Sequence, residues 1–132
     1  MEKCENTITW CELHAALLVC WDQQTAKGNW DEAEPSLNQC AVSALVVQDY
    51  LGGVLLRAPM TNDDGHYYNR LPNGDVRDAT RAQFEFIREY PLRQQAEERT
   101  REYVLSYPDT VKRYELLKIR VARFLGKQIW EE

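Results

Sequence analysis

The chain has 132 residues, of which 44% are apolar and 28% charged, and a formal charge of −5. This is enough for one buried core and too little for two, and the acidic balance excludes a surface built to neutralise nucleic-acid phosphates. The longest uninterrupted apolar run, residues 15–21, is far shorter than the about 20 residues that cross a bilayer, which excludes a spanning helix.

The first seven residues, Met1-Glu2-Lys3-Cys4-Glu5-Asn6-Thr7, lack the basic, apolar and small-residue segments of a secretory leader. The expectation is a cytoplasmic protein whose four cysteines are reduced thiols. Thr9-Trp10-Cys11-Glu12 has the Thr-x-x-Glu form of a capping box, and Leu13, Ala16, Leu17 and Trp21 recur at helical spacing. A first helix is predicted over residues 10–25. Lys27-Gly28-Asn29-Trp30 breaks the pattern, and Glu34-Pro35-Ser36-Leu37-Asn38 forms a polar loop before a second helix over residues 39–51. Val42, Leu45, Val46 and Tyr50 mark its buried face, and Gly52-Gly53 stops it.

Val54-Leu55-Leu56-Arg57 reads as a short strand, and Thr61-Asn62-Asp63-Asp64-Gly65 as a polar turn. A hairpin follows, with strands over residues 66–71 and 75–80 joined by Pro72-Asn73-Gly74. Proline suits the first position of this loop and glycine its left-handed last one, which selects a three-residue connection. That register pairs Leu71 with Asp75, Tyr68 with Asp78 and His66 with Thr80, and sets His66 and Asp78 as diagonal neighbours on one face. A two-residue Asn-Gly loop would instead turn Asp78 to the other face. Phe84, Phe86 and Ile87 are expected to be buried before Pro91. Residues 92–106 read as a highly charged helix, and Ser106-Tyr107-Pro108-Asp109 caps a last amphipathic helix that ends before Gly126. Residues 109–132 carry six Lys or Arg against four Asp or Glu, spaced as a solvated helix face and not as a binding patch.

Cys40 opens the second helix. A thiol there gains thiolate character from the unpaired N–H groups and the positive end of the helix dipole, and a nearby imidazolium lowers its pKa further. His66 is the natural base, because the other histidine, His14, lies inside the first helix. Asp78 would hold the imidazole tautomer, or else simply cap Thr80-Arg81. The oxyanion donors remain open among the Cys40 backbone N–H and the Gln39 and Asn38 side chains, which could equally cap the helix. Asn69 faces away from His66 in the favoured register. Cys4, Cys11, His14 and Cys20 lack the paired spacing of a zinc site and are read as structural thiols and a helix histidine. Neither a metal nor a cofactor is expected.

The segments Pro35-Ser36-Leu37-Asn38-Gln39-Cys40-Ala41-Val42, Ala44-Leu45-Val46-Val47-Gln48-Asp49-Tyr50-Leu51-Gly52-Gly53, His66-Tyr67-Tyr68-Asn69-Arg70-Leu71, Asp78-x-Thr80 and Pro108-Asp109-Thr110 with Arg113-Tyr114 resemble the bacterial YunG family of small uncharacterised proteins, over residues 30–124. More distantly, a cysteine at a helix start, a histidine followed by aromatics on a strand, and Asp-x-Thr on the next strand are similar to the transglutaminase-like and papain-like cysteine fold. This second resemblance implies Cys40 as nucleophile, His66 as base and Asp78 as orienter. Gln39 adjoins the cysteine, whereas the papain-like oxyanion glutamine precedes it by several residues.

The sequence thus predicts a single α+β domain over residues 1–132, with helices packed on a small antiparallel sheet of three or four strands in a papain-like core with a C-terminal helical extension. The expected function is a cysteine-dependent hydrolase or acyltransferase of the amidase, deamidase or peptidase type. Its catalytic set would be Cys40, His66, Asp78 and Gln39, acting on a small amide or peptide side chain through a thioester. The alternative is a non-catalytic binding module on the same fold, holding a partner through the cleft or the C-terminal helices.

Overall fold

The structure, a computed structural model, describes residues 7–61 and 64–130, with side chains as far as residue 126. The thiol of Cys4 and the side chain of Trp130 lie outside the described residues. Five helices and a four-stranded antiparallel sheet make an α+β architecture. Helix α1 spans Trp10–Cys20 and starts at the expected capping box: the Thr9 hydroxyl accepts the Glu12 N–H at 3.1 Å, and the Glu12 carboxylate accepts the Thr9 N–H at 2.9 Å. It stops short of residue 25 because Trp21 is already extended and the Asp22 carboxylate accepts the Gln24 N–H at 2.9 Å, a local turn that competes with helix.

Helix α2 spans Cys40–Leu51, with Val42, Leu45 and Val46 fully buried. It packs against the sheet on one side and against the C-terminal helix on the other. Strand β1 is Val54–Pro59, longer than the apolar tetrapeptide that signals it, and β2 is Gly65–Arg70. Strand β3 is only Val76–Arg77, shorter than the expected residues 75–80, because the chain turns after Arg77 to bring the Asp78 carboxylate back onto the Thr80 N–H at 3.2 Å. The loop between β2 and β3 is the three-residue type. Leu71 N–H donates to the Asp75 carbonyl, Gly74 N–H donates to the Leu71 carbonyl, and Gly74 has φ +94°. Asn69 therefore pairs with Arg77 and Arg70 with Val76, the favoured register.

The segment after this hairpin departs from expectation. Helix α3, Gln83–Ile87, is little more than one turn, so only Gln83 and Phe84 face inward and Phe86 is left 45% exposed. The charged stretch over residues 92–106 is not one helix. It is a 3₁₀ turn at Arg93–Gln95, strand β4 at Glu97–Arg99 and a short helix α4 at Arg101–Val104. Glu97, Glu98 and Arg99 pair with the free edge of β1, giving the order β3-β2-β1-β4. Charged side chains suit such an outer strand because they discourage further pairing.

Helix α5 spans Pro108–Trp130 and runs through Gly126. Proline at its first position needs no hydrogen-bond partner, and the Ser106 hydroxyl donates to the Tyr103 carbonyl in place of capping α5. Its face of Tyr114, Leu117, Val121 and Leu125 is buried against α1 and α2. Arg113 is an exception to the solvated charge pattern: it is buried, paired with Asp109 at 2.8 Å, and donates to the Thr25 carbonyl. Asp49 of α2 joins the helices by taking Arg101 at 2.7 Å and the Tyr114 hydroxyl at 2.6 Å. No helix among the described residues is long and apolar enough to cross a membrane.

Candidate active site

The loop before α2 sets the position of Cys40. Asn38 has φ +60°, a left-handed conformation that asparagine tolerates better than most residues. It is locked there from three directions: its N–H donates to the Gln83 side-chain oxygen at 3.1 Å, its amide donates to the Asn29 carbonyl at 2.7 Å, and its carbonyl accepts the Lys27 N–H at 2.9 Å. Gln39 is the helix cap by position, without a side-chain capping bond. Cys40 follows as the first helical residue, half-buried, with its backbone N–H at the end of the helix where no intrahelical acceptor exists.

His66 lies near the start of β2 and is 2% exposed, buried where an edge histidine would be wet. Strands β1 and β3 flank β2, Tyr68 stacks on the ring at 5.6 Å, and Phe84 meets it edge-on at 4.6 Å. Its Nε2–H donates to Asp78 Oδ2 at 2.8 Å; the two residues meet as expected, but Asp78 reaches the ring from the turn after β3, and the expected Tyr68–Asp78 and His66–Thr80 strand pairs are absent from the ladder. A carboxylate accepts, so Nε2 carries the proton and Nδ1 is the ring atom left for Cys40, which lines the same cleft as His66. Asp78 serves both proposed purposes. Its Oδ1 accepts the Thr80 N–H and its Oδ2 accepts His66.

Burial raises the Cys40 thiol pKa, but the His66 hydrogen bond and charge, with the Tyr67 backbone N–H, outweigh it and leave the thiol below its ordinary value. Burial works against a charged His66, yet the Asp78 and Cys40 partners lift its pKa to about 9. Burial also opposes ionisation of Asp78, and the His66 and Arg93 partners overcome it to hold the carboxyl below its usual range. All three directions favour one charge arrangement: thiolate, imidazolium and carboxylate.

Arg93 was not legible as part of this group. Its guanidinium sits 2.7 Å from Asp78 Oδ2 and lies over the Tyr68 ring at 4.8 Å. The segment carrying it is anchored by the Leu92 N–H on the Pro59 carbonyl and by the Met60–Pro91 bridge. Gln83 was also missed; it joins Asn38 to Thr80, whose hydroxyl accepts its amide at 3.0 Å. The only local signal for either was proximity to the aromatic stretch around Phe84.

Gln39 is fully buried and its amide donates to the Asp22 carbonyl at 3.0 Å, so the side chain braces the loop after α1 and neither caps α2 nor stands as an assigned oxyanion donor. The Asn38 amide is likewise committed to Asn29. The Cys40 N–H is the remaining candidate donor. Asn69 points to the α2 side, where its amide donates to the Ala44 carbonyl at 3.0 Å. His14 donates from Nε2 to the Ala79 carbonyl at 3.1 Å, Cys11 is exposed and Cys20 buried, and no group of three or more metal-ligating side chains forms among the described residues.

Cys40 lines two clefts. One, of about 360 Å³, has Leu37, Met60, Phe84 and Ile87 as its apolar wall and also includes His66 and Gln83. The other, of about 330 Å³, lies toward Arg57, Tyr67, Tyr103 and Tyr107. A larger groove of about 520 Å³ beyond Phe84 does not include Cys40.

A family profile described as YunG protein matches residues 9–126. The chain is 39% identical over 70 residues to the protein named "Uncharacterized protein YunG" from Bacillus subtilis (strain 168), a match covering 53% of this chain and 58% of that protein. The chain thus spans a little over half the length of that curated relative. No solved structure matches it. With a family match extending from the α1 capping box to the last turns of α5, the chain belongs to the YunG family.

Proposed function

We propose that this protein is a cysteine-dependent hydrolase or acyltransferase acting on an amide. The supporting observation is the placement of Cys40 and His66 on one cleft, with His66 held by Asp78 at 2.8 Å and Cys40 lining a second cleft as well. A cysteine on a helix start, a histidine on a strand and an aspartate after the next strand are the arrangement used by papain-like and transglutaminase-like folds, and that likeness is part of the proposal.

The chemistry follows from the protonation states. The Cys40 thiolate attacks the amide carbon, the carbonyl π electrons move to oxygen, and the Cys40 backbone N–H donates to that oxyanion. Collapse of the adduct breaks the C–N bond, and His66 Nδ1–H protonates the departing nitrogen. An acyl thioester on Cys40 and a neutral imidazole remain. His66 then takes a proton from water, in hydrolysis, or from an amine or hydroxyl acceptor, in transfer. The incoming nucleophile displaces the thiolate and restores the ion pair. Asp78 holds the ring's orientation throughout.

A thiol and an Asp78-bound imidazole on one cleft favour this reading over a binding module, which has no need of the pair. Competitive alkylation tests it. At pH 6, limiting iodoacetamide is expected to modify Cys40 before Cys4, Cys11 and Cys20, and p-nitrophenyl acetate is expected to leave an acetyl thioester on Cys40 that mass spectrometry detects. Equal, slow labelling of all four thiols with no acyl adduct would overturn the proposal.

A further inference from the structure

The two clefts that meet at Cys40 differ in charge. The cleft lined by Leu37, Met60, Phe84 and Ile87 carries the carboxylates of Asp64 and Glu89, with His66 as its basic side chain. The other contains three cations, Lys27, Arg57 and Arg113, against the single carboxylate of Asp109. Asp109 is paired with Arg113 at 2.8 Å, so that pair is internally compensated. Arg57 and Lys27 make no ion pair among the described residues. Glu97, which lies opposite Arg57 across the β1–β4 ladder, is bound to Arg99 at 3.0 Å. A chain with a net charge of −5 thus places two cations, without an ion pair among the described residues, in the cleft of its nucleophile.

The placement of Arg57 is built into the backbone. Gly65 precedes His66, and a Cβ atom added to Gly65 would collide with the Arg57 guanidinium. Absence of a side chain at position 65 lets the guanidinium lie across the start of β2, in the same cleft wall as Cys40. Tyr67, paired with Arg57 across β1 and β2, and the hydroxyls of Tyr103 and Tyr107 supply further polar groups to this wall. A planar guanidinium in a shallow aromatic cleft is suited to a carboxylate, which it can take with two parallel hydrogen bonds.

We infer that this cleft is a carboxylate subsite: the amide substrate carries a free carboxylate on the Arg57 side of the bond under attack, and its other side lies along the apolar wall of Leu37, Met60 and Phe84. The inference rests on Cys40 acting as a nucleophile. A volume of about 330 Å³ is at the lower end for small-ligand pockets, the size for one amino-acid residue and not a long peptide.

Alkylating agents of matched size and different charge separate the two claims. Iodoacetate and iodoacetamide each form an S–C bond with the thiolate and release iodide, but only the former carries a carboxylate. With exposed Cys11 as internal reference, the iodoacetate-to-iodoacetamide rate ratio at Cys40 is expected to exceed that at Cys11 by about fivefold. Arg57→Gln is expected to bring the Cys40 ratio down to the Cys11 value, and Arg57→Lys to retain part of the preference. N-acetylglycine is expected to protect Cys40 from iodoacetamide better than N-acetylglycinamide or inorganic phosphate does.

Wild-type Cys40 reacting with iodoacetamide no faster than Cys11 would overturn the nucleophile itself. Fast iodoacetamide labelling with no excess ratio for iodoacetate, or an excess that survives in Arg57→Gln, would overturn the subsite alone. Protection by phosphate equal to or better than that by N-acetylglycine would overturn its assignment to carboxylates.

Discussion

Arg93 places its guanidinium 2.7 Å from the Asp78 oxygen that also accepts the His66 ring N–H at 2.8 Å. One oxygen atom therefore holds both cations, while the other is tied to the Thr80 N–H. The carboxylate has no freedom to rotate away from the ring. Arg93→Met is expected to loosen this alignment and slow alkylation of Cys40 at neutral pH by about tenfold, the equivalent of one charge-assisted hydrogen bond. Lysine at this position would restore charge without the planar contact to Tyr68, so Arg93→Lys should recover only part of the rate.

Acyl transfer from an amide to Cys40 should describe a bell against pH. On the acid side it falls as the thiolate is protonated, at a pH below that of an ordinary thiol because the His66 cation stabilises the ionised form. On the alkaline side the thiolate persists but the imidazolium is lost near pH 9, so acyl transfer to Cys40, which needs the proton donor, declines there while simple alkylation does not. Measuring both reactions from pH 5 to 10 distinguishes the two limbs. Two identical profiles would remove His66 from the role of acid.

Cys40→Ala isolates the remaining pair. His66 loses the thiolate that helps raise its pKa, so its titration by NMR should move below about 9 while staying above 6.5 through Asp78. A raised histidine pKa contributes stability that is complete below 6.5 and disappears as pH rises through the folded-state value. The lowered Asp78 pKa contributes stability that is complete above 3.8 and is lost on further acidification. The urea midpoint of this variant is therefore expected to be highest between about pH 4 and 6.5. A flat profile across that range and beyond would contradict the pairing.

Gly53→Ala tests the turn that launches the sheet. Gly53 has φ +87°, and an added Cβ would collide with the Arg70 carbonyl oxygen, a backbone atom that cannot swing aside. The combined strain and clash should lower stability by at least about 2 kcal/mol in urea unfolding. A cost below about 0.5 kcal/mol would show that the end of β2 moves freely at this point.

Gln83→Leu removes both bonds that join the Asn38 turn to Thr80. The Asn38 N–H is then left without its acceptor, and the left-handed conformation ahead of Cys40 loses support. The expected result is a smaller gap between the alkylation rates of Cys40 and Cys11. The His66–Asp78 pair lies on other elements, so the NMR titration of His66 should change little.

What the sequence alone determined was local. Thr9 and Glu12 specify the start of α1 through bonds three residues apart, and Pro72-Asn73-Gly74 specifies a three-residue loop that sets Arg70 opposite Val76 and Asn69 opposite Arg77. That register brings Asp78 to the His66 side of the hairpin, but the ladder ends at Arg77, and the turn that sets the Asp78 carboxylate on the Thr80 N–H completes the pairing with His66. The same register put Asn69 on the opposite face, where it meets Ala44. Tertiary structure decided the rest. Residues 92–106 are rich in helix formers, yet Glu97-Glu98-Arg99 became a strand because β1 offered an unpaired edge, and hydrogen bonds to a waiting ladder outweigh a weak intrinsic preference. Arg93 meets Asp78 across 15 residues of chain and Gln83 meets Asn38 across 45, while Arg57 comes to the cleft from β1, so no periodicity could reveal them. Nor could composition show that Gln39 is spent on Asp22. Capping and turn chemistry act over three or four residues and can be read from a chain, whereas a partner found only when distant segments pack depends on the whole fold.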